Sequence, residues 1–122
     1  MNAKILIIDD ETAILNALQV FLEQEGYDVE AVEKYENFLE SKEKNLPDLI
    51  ILDIVLLDED GREIAKRLKA NDHTKHIPII MISAHPNAAT TSLKAGADTF
   101  LPKPFDIEDL LSSITKLLPK AK

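Results

Sequence analysis

The segment Ile5-Leu6-Ile7-Ile8, closed by Asp9-Asp10, decides the fold. An unbroken aliphatic run, rich in β-branched side chains, does not suit a strand with one wet face. It suits a strand covered on both faces, as in a parallel sheet. Two further runs repeat the pattern. Leu49-Ile50-Ile51-Leu52 is closed by Asp53, and Ile77 to Ile82, with Pro78 near its start, is closed by Ser83. Between these runs the apolar period changes to that of a helix. Ile14, Leu15, Leu18, Phe21 and Leu22 recur at helical spacing, and Gly26 is a stop signal. Tyr27 to Val32 alternates like a strand at a sheet edge. Tyr35 to Asn45 reads as a weaker helix with Phe38 and Leu39 inward, ended by Pro47.

Gly61 opens another helix, marked by Ile64, Ala65 and Leu68. Ala88 to Ala95 reads as a short, poor helix rich in Thr90, Thr91 and Ser92, and Thr99 to Leu101 as a brief strand. Asp106 suits the N-cap of a last helix whose inner stripe is Ile107, Leu110, Leu111, Ile114, Leu117 and Leu118. The Lys116 to Lys122 tail is expected to fray. Five strands alternating with five helices predict an α/β fold, with a parallel sheet, right-handed crossovers and helices on both faces.

Composition narrows the function. A chain of 122 residues suits a single domain over 1–122. With 45% hydrophobic and 30% charged residues the balance is globular. The absence of cysteine excludes a disulfide scaffold, a thiolate zinc site and a cysteine nucleophile. Lys plus Arg is 14 and Asp plus Glu is 22, a formal charge of −8, which repels a phosphate backbone and argues against direct nucleic-acid binding. No apolar run reaches ~18 residues, so no membrane span is expected. The start, Met1-Asn2-Ala3-Lys4, has no signal-peptide features, and the expected location is cytoplasmic.

Sites in an open α/β sheet form beyond the carboxyl ends of the strands. The residues just past each buried run are therefore informative. Asp9 and Asp10 succeed the first, Asp53 the second, Ser83 the third, and Lys103-Pro104 lies beyond the short last strand. Two like charges ~4 Å apart cost about 4 kcal/mol at an effective dielectric of 20, so three clustered carboxylates need compensation. A hard cation, the Lys103 ammonium or a raised carboxylate pKa can supply it. Oxygen ligands without His or Cys suit Mg2+ or Mn2+. A divalent cation beside a carboxylate and a lysine suits a phosphoryl group, which the carboxylate can attack.

The same residues carry a resemblance. Asp9-Asp10, Asp53, Gly61, Ser83-Ala84, Gly96-Ala97-Asp98, Phe100 and Lys103-Pro104-Phe105 stand in order, most of them at strand ends. In this the chain resembles a receiver domain of two-component response regulators, of the single-domain chemotaxis type, over nearly its whole length. The resemblance implies a flavodoxin-like, doubly wound five-stranded sheet of order 2-1-3-4-5. It implies that Asp53 accepts a phosphoryl group from a sensor histidine kinase or phosphotransfer protein. Asp10, Asp53 and the Val55 carbonyl would bind Mg2+, with Asp9 acting through a metal-bound water. Lys103 and Ser83, the latter followed by Ala84, would contact the phosphoryl oxygens. Phe100 would turn inward on activation, and the Lys103–Pro104 bond would be cis. Val55 and His85 would tune hydrolysis of the acyl phosphate.

The output would be a downstream protein partner or a fused effector domain. The receiver would be a monomer or a weak, phosphorylation-dependent dimer, and a switch rather than an enzyme with external turnover. Two departures are visible. Leu57 stands where the family usually has proline, and the stretch between His85 and Leu93 is short, which bears on the output face.

Plainer readings exist for each residue. Asp9 and Asp10 could cap the first helix. Asp58-Glu59-Asp60 reads as a solvated loop, with Asp60 as a helix cap. His73 and His76 read as surface residues, and Phe105 as packing. A magnesium-dependent phosphohydrolase also uses an aspartate nucleophile, but it usually carries a second acid two residues later, where this chain has Val55, and a cap for which there is no room. A receiver reduced to an interaction module is disfavoured by the intact set of five site residues.

Overall fold

The computed structural model of the protein describes residues 2–41, 46–57, 59–85 and 87–118, with backbone alone for 39–41. Its elements follow the alternation in the sequence: β1 (Lys4–Ile8), α1 (Thr12–Gln24), β2 (Asp28–Val32), α2 (Tyr35–Ser41), β3 (Leu49–Asp53), α3 (Gly61–Ala70), β4 (Ile79–Ser83), α4 (Ala88–Lys94), β5 (Thr99–Pro102) and α5 (Ile107–Leu117). All four strand pairings are parallel, in the order β2-β1-β3-β4-β5. This is the flavodoxin-like arrangement with five helices.

Side-chain alternation divides each strand between two cores. Leu6, Ile8, Ile50, Leu52, Ile79 and Met81 face one side, where Phe38, Ile64, Ala65, Leu68 and Ala88 of α2, α3 and α4 cover them. Ile5, Ile7, Leu49, Ile51, Ile80 and Ile82 face the other, under Leu15, Leu18 and Leu22 of α1 and Leu110 and Ile114 of α5. Both faces are dry, which is why β3 and β4 are buried along their whole length and why their sequences do not alternate.

The order reverses between β1 and β3, since β2 lies outside β1 while β4 and β5 extend beyond β3. The helices leaving β1 and β3 therefore part to opposite faces and open a cleft at the carboxyl ends of those strands. Register fixes what reaches the cleft. Ile8 is level with Leu52, Asp53 with Ile82, and Ser83 with Pro102.

Several local expectations need adjustment. β2 does not alternate between buried and exposed. Four of its five residues are half-buried, because an edge strand meets solvent along its length as well as on one face. α2 is described to Ser41; residues 42–45, the rest of the expected helix, and the Leu39 side chain lie outside the described residues. The buried run at Ile77 enters β4 only from Ile79, and β5 extends to Pro102. Asp106 occupies the N-cap of α5, but its side chain makes no capping hydrogen bond, and Ile107 is 36% exposed. Residues 119–122 of the expected frayed tail, Asp58 of the acidic loop and Pro86 also lie outside the described residues.

Candidate functional site

Asp9, Asp10 and Asp53 bring carboxylate oxygens within 4.8 Å of one another at the mouth of the cleft. β1 delivers the first two. Asp9 is fully buried, and its Oδ1 accepts the Glu11 amide at 2.9 Å, while Asp10 is half-buried. The helix cap proper is Glu11, so the capping explanation of Asp9 and Asp10 does not describe them. Asp53 ends β3 at 4% exposure, with its Oδ1 accepting the Val55 amide at 3.2 Å.

Gly61 lets α3 start directly above this strand end. Its amide donates to the Ile54 carbonyl at 2.7 Å, and a Cβ there would overlap the Asp53 carbonyl oxygen. Asp60 caps the helix as expected, accepting the Arg62 amide at 2.9 Å and pairing with its guanidinium at 2.6 Å. The hydrogen bond from the guanidinium, the largest cause, holds the Asp60 carboxyl below its ordinary pKa.

Lys103 crosses from β5 over the carboxylates. Its amide donates to the Ser83 carbonyl at 2.8 Å, and the Lys103–Pro104 peptide is cis, as the resemblance implies. The ammonium lies 3.0 Å from Asp53 Oδ2, 3.0 Å from Glu11 Oε1 and 3.4 Å from Asp9 Oδ2. Burial alone would lower the Lys103 pKa. Its hydrogen bonds to Asp53 and Glu11 and the charges of Asp9 and Asp53 outweigh that, and the pKa is raised. Asp9 is raised to about 6, chiefly by burial and further by the Asp53 charge, against the lowering by the Glu11 amide and Lys103.

Ser83 is fully buried at the end of β4, and its Oγ accepts the His85 amide at 3.0 Å. Ala84 and His85 are exposed on the rim, and Val55 is 56% exposed above the carboxylates. Phe100 is half-buried and packs against the core under α2, α3 and α4. Every site residue expected from the sequence therefore lies at or directly behind one rim of the sheet. Glu11 is the one that sequence reasoning missed. The available signal was its position immediately after two site acids, where an acid reads simply as a first-turn helix residue.

The charge balance decides what the cleft accepts. The three converging carboxylates outnumber the single Lys103 ammonium, which Glu11 also shares, so the cleft keeps a net negative charge. At 4.8 Å each unrelieved pair costs about 3–4 kcal/mol at a dielectric of 20. An all-oxygen donor set with that residual charge fits a small divalent cation such as Mg2+. His73 and His76 are exposed and belong to no such cluster among the described residues. Glu59 of the acidic loop pairs with Arg67 at 2.8 Å. A shallow cavity of about 60 Å³ opens beside Asp10 between Tyr35 and Leu56. A larger cavity, about 880 Å³, sits at the other end of the strands, against Ala3, Tyr27 and Pro78, and contains none of the site acids.

A sequence model of the response regulator receiver domain matches residues 5–115. The chain is 36% identical over 124 aligned residues to the alkaline phosphatase synthesis transcriptional regulatory protein PhoP of Bacillus subtilis, covering 100% of this chain and 51% of that protein. It is 33% identical to the phosphate regulon transcriptional regulatory protein PhoB of Rhizobium meliloti, covering 100% and 55%. The chain thus spans about half the length of the curated relatives it matches. Among solved structures it is similar to a CheY-like receiver domain protein of Methanospirillum hungatei, with 34% identity, a TM-score of 0.85 and coverage of 96% and 94%. It is also similar to the response regulator TrrA of Thermotoga maritima in complex with Mg2+ and beryllofluoride, with 32% identity, a TM-score of 0.83 and coverage of 95% and 99%.

Proposed function

Because the chain belongs to the response regulator receiver domain family, the phosphoacceptor switches of two-component signalling, we propose that Asp53 is its phosphoacceptor and that residues 1–122 act as one receiver domain. The observation that supports this best is the convergence of Asp9, Asp10 and Asp53 within 4.8 Å, with Lys103 at 3.0 Å from Asp53.

In this reading the donor is a phosphohistidine of a sensor histidine kinase or a phosphotransfer protein. One Asp53 oxygen attacks phosphorus, the new O–P bond forms, and the N–P bond breaks with imidazole as leaving group. Asp10, Asp53 and the Val55 carbonyl would hold Mg2+, or Mn2+ in its place, with Asp9 acting through its hydration shell. When bound, the metal supplies charge neutralisation for the oxygens of the transferring group. Lys103 sits where it can pair with one phosphoryl oxygen. The Ser83 hydroxyl reaches another by giving up the His85 amide, beside the exposed Ala84. Phe100 then moves toward the space that Ser83 leaves, and the α4 face presents a different surface. Water attacking phosphorus releases phosphate and restores the carboxylate, with Val55 and His85 on the rim it must cross.

The output is a downstream protein or a fused effector domain, and the domain is a monomer or a weak dimer on phosphorylation. Neither direct nucleic-acid binding nor a membrane role is part of this reading. No helix among the described residues is long and apolar enough to cross a membrane. The place of action is the cytoplasm.

The test is labelling with Mg2+ and a small phosphodonor or a phosphorylated kinase. An acid-stable, base-labile phosphate is expected on the wild type and none on Asp53→Asn. Undiminished labelling of the variant overturns the assignment.

A further inference from the structure

We infer that Glu11 is a positioning residue: it holds the Lys103 ammonium beside unmodified Asp53 and surrenders it to the incoming phosphoryl group. This rests on the reading of Asp53 as phosphoacceptor.

An ammonium has three N–H donors, and here all three are taken. Lys103 contacts Asp53 and Glu11 at 3.0 Å each and Asp9 at 3.4 Å. It can meet a phosphoryl oxygen only by releasing one partner. Asp9 is completely buried, and its other oxygen already holds the Glu11 amide, so bulk water cannot take the place of a lost Lys103 contact. Glu11 differs. Its side chain is 58% exposed, and a released carboxylate is at once hydrated. Of the two neighbouring acids, Glu11 is therefore the partner whose loss costs less.

The local backbone supports this. Glu11 is the N-cap of α1 in extended conformation, yet its side chain makes no capping hydrogen bond. Its carboxylate is directed to Lys103. The hydrogen bond that the Glu11 backbone N–H donates to Asp9 Oδ1 also fixes the Glu11 backbone relative to the acid cluster.

A placeholder competes with the ligand it stands in for. Glu11→Gln should therefore tighten binding of beryllofluoride at saturating Mg2+, by about two- to five-fold, the range of a part-exposed ion pair. Glu11 is not among the converging carboxylates, so Mg2+ affinity without beryllofluoride should change by less than the anion's. The gain should shrink as salt rises. Glu11→Asp keeps the charge but is one methylene short of Lys103, and should fall between Gln and wild type. Isothermal titration of the three proteins with Mg2+ alone, and with beryllofluoride at saturating Mg2+, reads all of this.

Unchanged or weaker beryllofluoride binding by Glu11→Gln overturns the placeholder role. A change of Mg2+ affinity as large as the anion's gain also overturns it, since a general charge effect would then account for both. If wild type binds neither Mg2+ nor beryllofluoride, or if Asp53→Asn binds beryllofluoride as wild type does, the Asp53 reading itself fails, a result distinct from failure at Glu11.

Discussion

Replacing Asp9 by asparagine should stabilise the metal-free protein at neutral pH. Asp9 is fully buried, close to Asp10 and Asp53. Burial first, and then the Asp53 charge, lift its pKa from 3.8 to about 6. A carboxyl with a higher pKa folded than unfolded binds its proton more tightly in the folded state. Stability therefore falls as pH rises from about 4 to about 6, and the full cost is present above that window. A shift of about two units at about 1.4 kcal/mol each makes that cost on the order of 3 kcal/mol. Asparagine still offers an oxygen to the Glu11 amide but turns N–H donors toward Lys103, which reduces the net gain to about 1–2 kcal/mol.

Urea unfolding of both proteins in EDTA, from pH 4 to pH 8, isolates the effect as the difference between two stability curves. That difference should be small near pH 4, grow in favour of the variant to about pH 6, and level off above. Saturating metal should oppose it. Mg2+ at one hundred times its Kd adds about 2.7 kcal/mol to the wild type and less to a variant lacking one of the acids. A flat difference across the range, or a variant less stable than wild type at pH 7.5, would refute the claim that Asp9 is destabilised by its burial among like charges.

Ser92, fully buried in α4, has a hydroxyl oxygen with no hydrogen-bond partner among the described residues. Ser92→Ala should raise stability by about 1 kcal/mol, measured by the same unfolding experiment. Val55→Ala and His85→Ala should each change the dephosphorylation rate of the labelled domain by several-fold while leaving unfolding free energy within about 0.5 kcal/mol, as for exposed positions. Equal decay rates in all three proteins would remove the rim from any account of hydrolysis.

The elements were legible because the sheet is covered on both faces. Ile5 to Ile8 and Leu49 to Leu52 can be read as parallel strands without coordinates, since an unbroken aliphatic run has no wet face to alternate toward. The site was legible for a related reason. In such a fold the residues just past each strand share one rim, so Asp9, Asp10, Asp53, Ser83 and Lys103 could be gathered from their positions in the chain. Boundaries were less visible. β2 fails to alternate because its edge position is a property of the sheet rather than of its own residues, and Asp106 leaves its helix uncapped although its residue type favours capping.

Sequence by itself thus determined the alternation of elements, the two-faced core and the order of acids, serine and lysine around the rim. These follow from local periodicity and from chain position. Only the tertiary structure decided how the charges are shared. That Lys103 divides itself among Asp53, Glu11 and Asp9, that Asp9 is the acid burial penalises, and that Gly61 must lack a Cβ to pass the Asp53 carbonyl, all depend on distances between segments apart in the chain. Coulomb and contact energies vary with separation in space, and separation in sequence does not fix it.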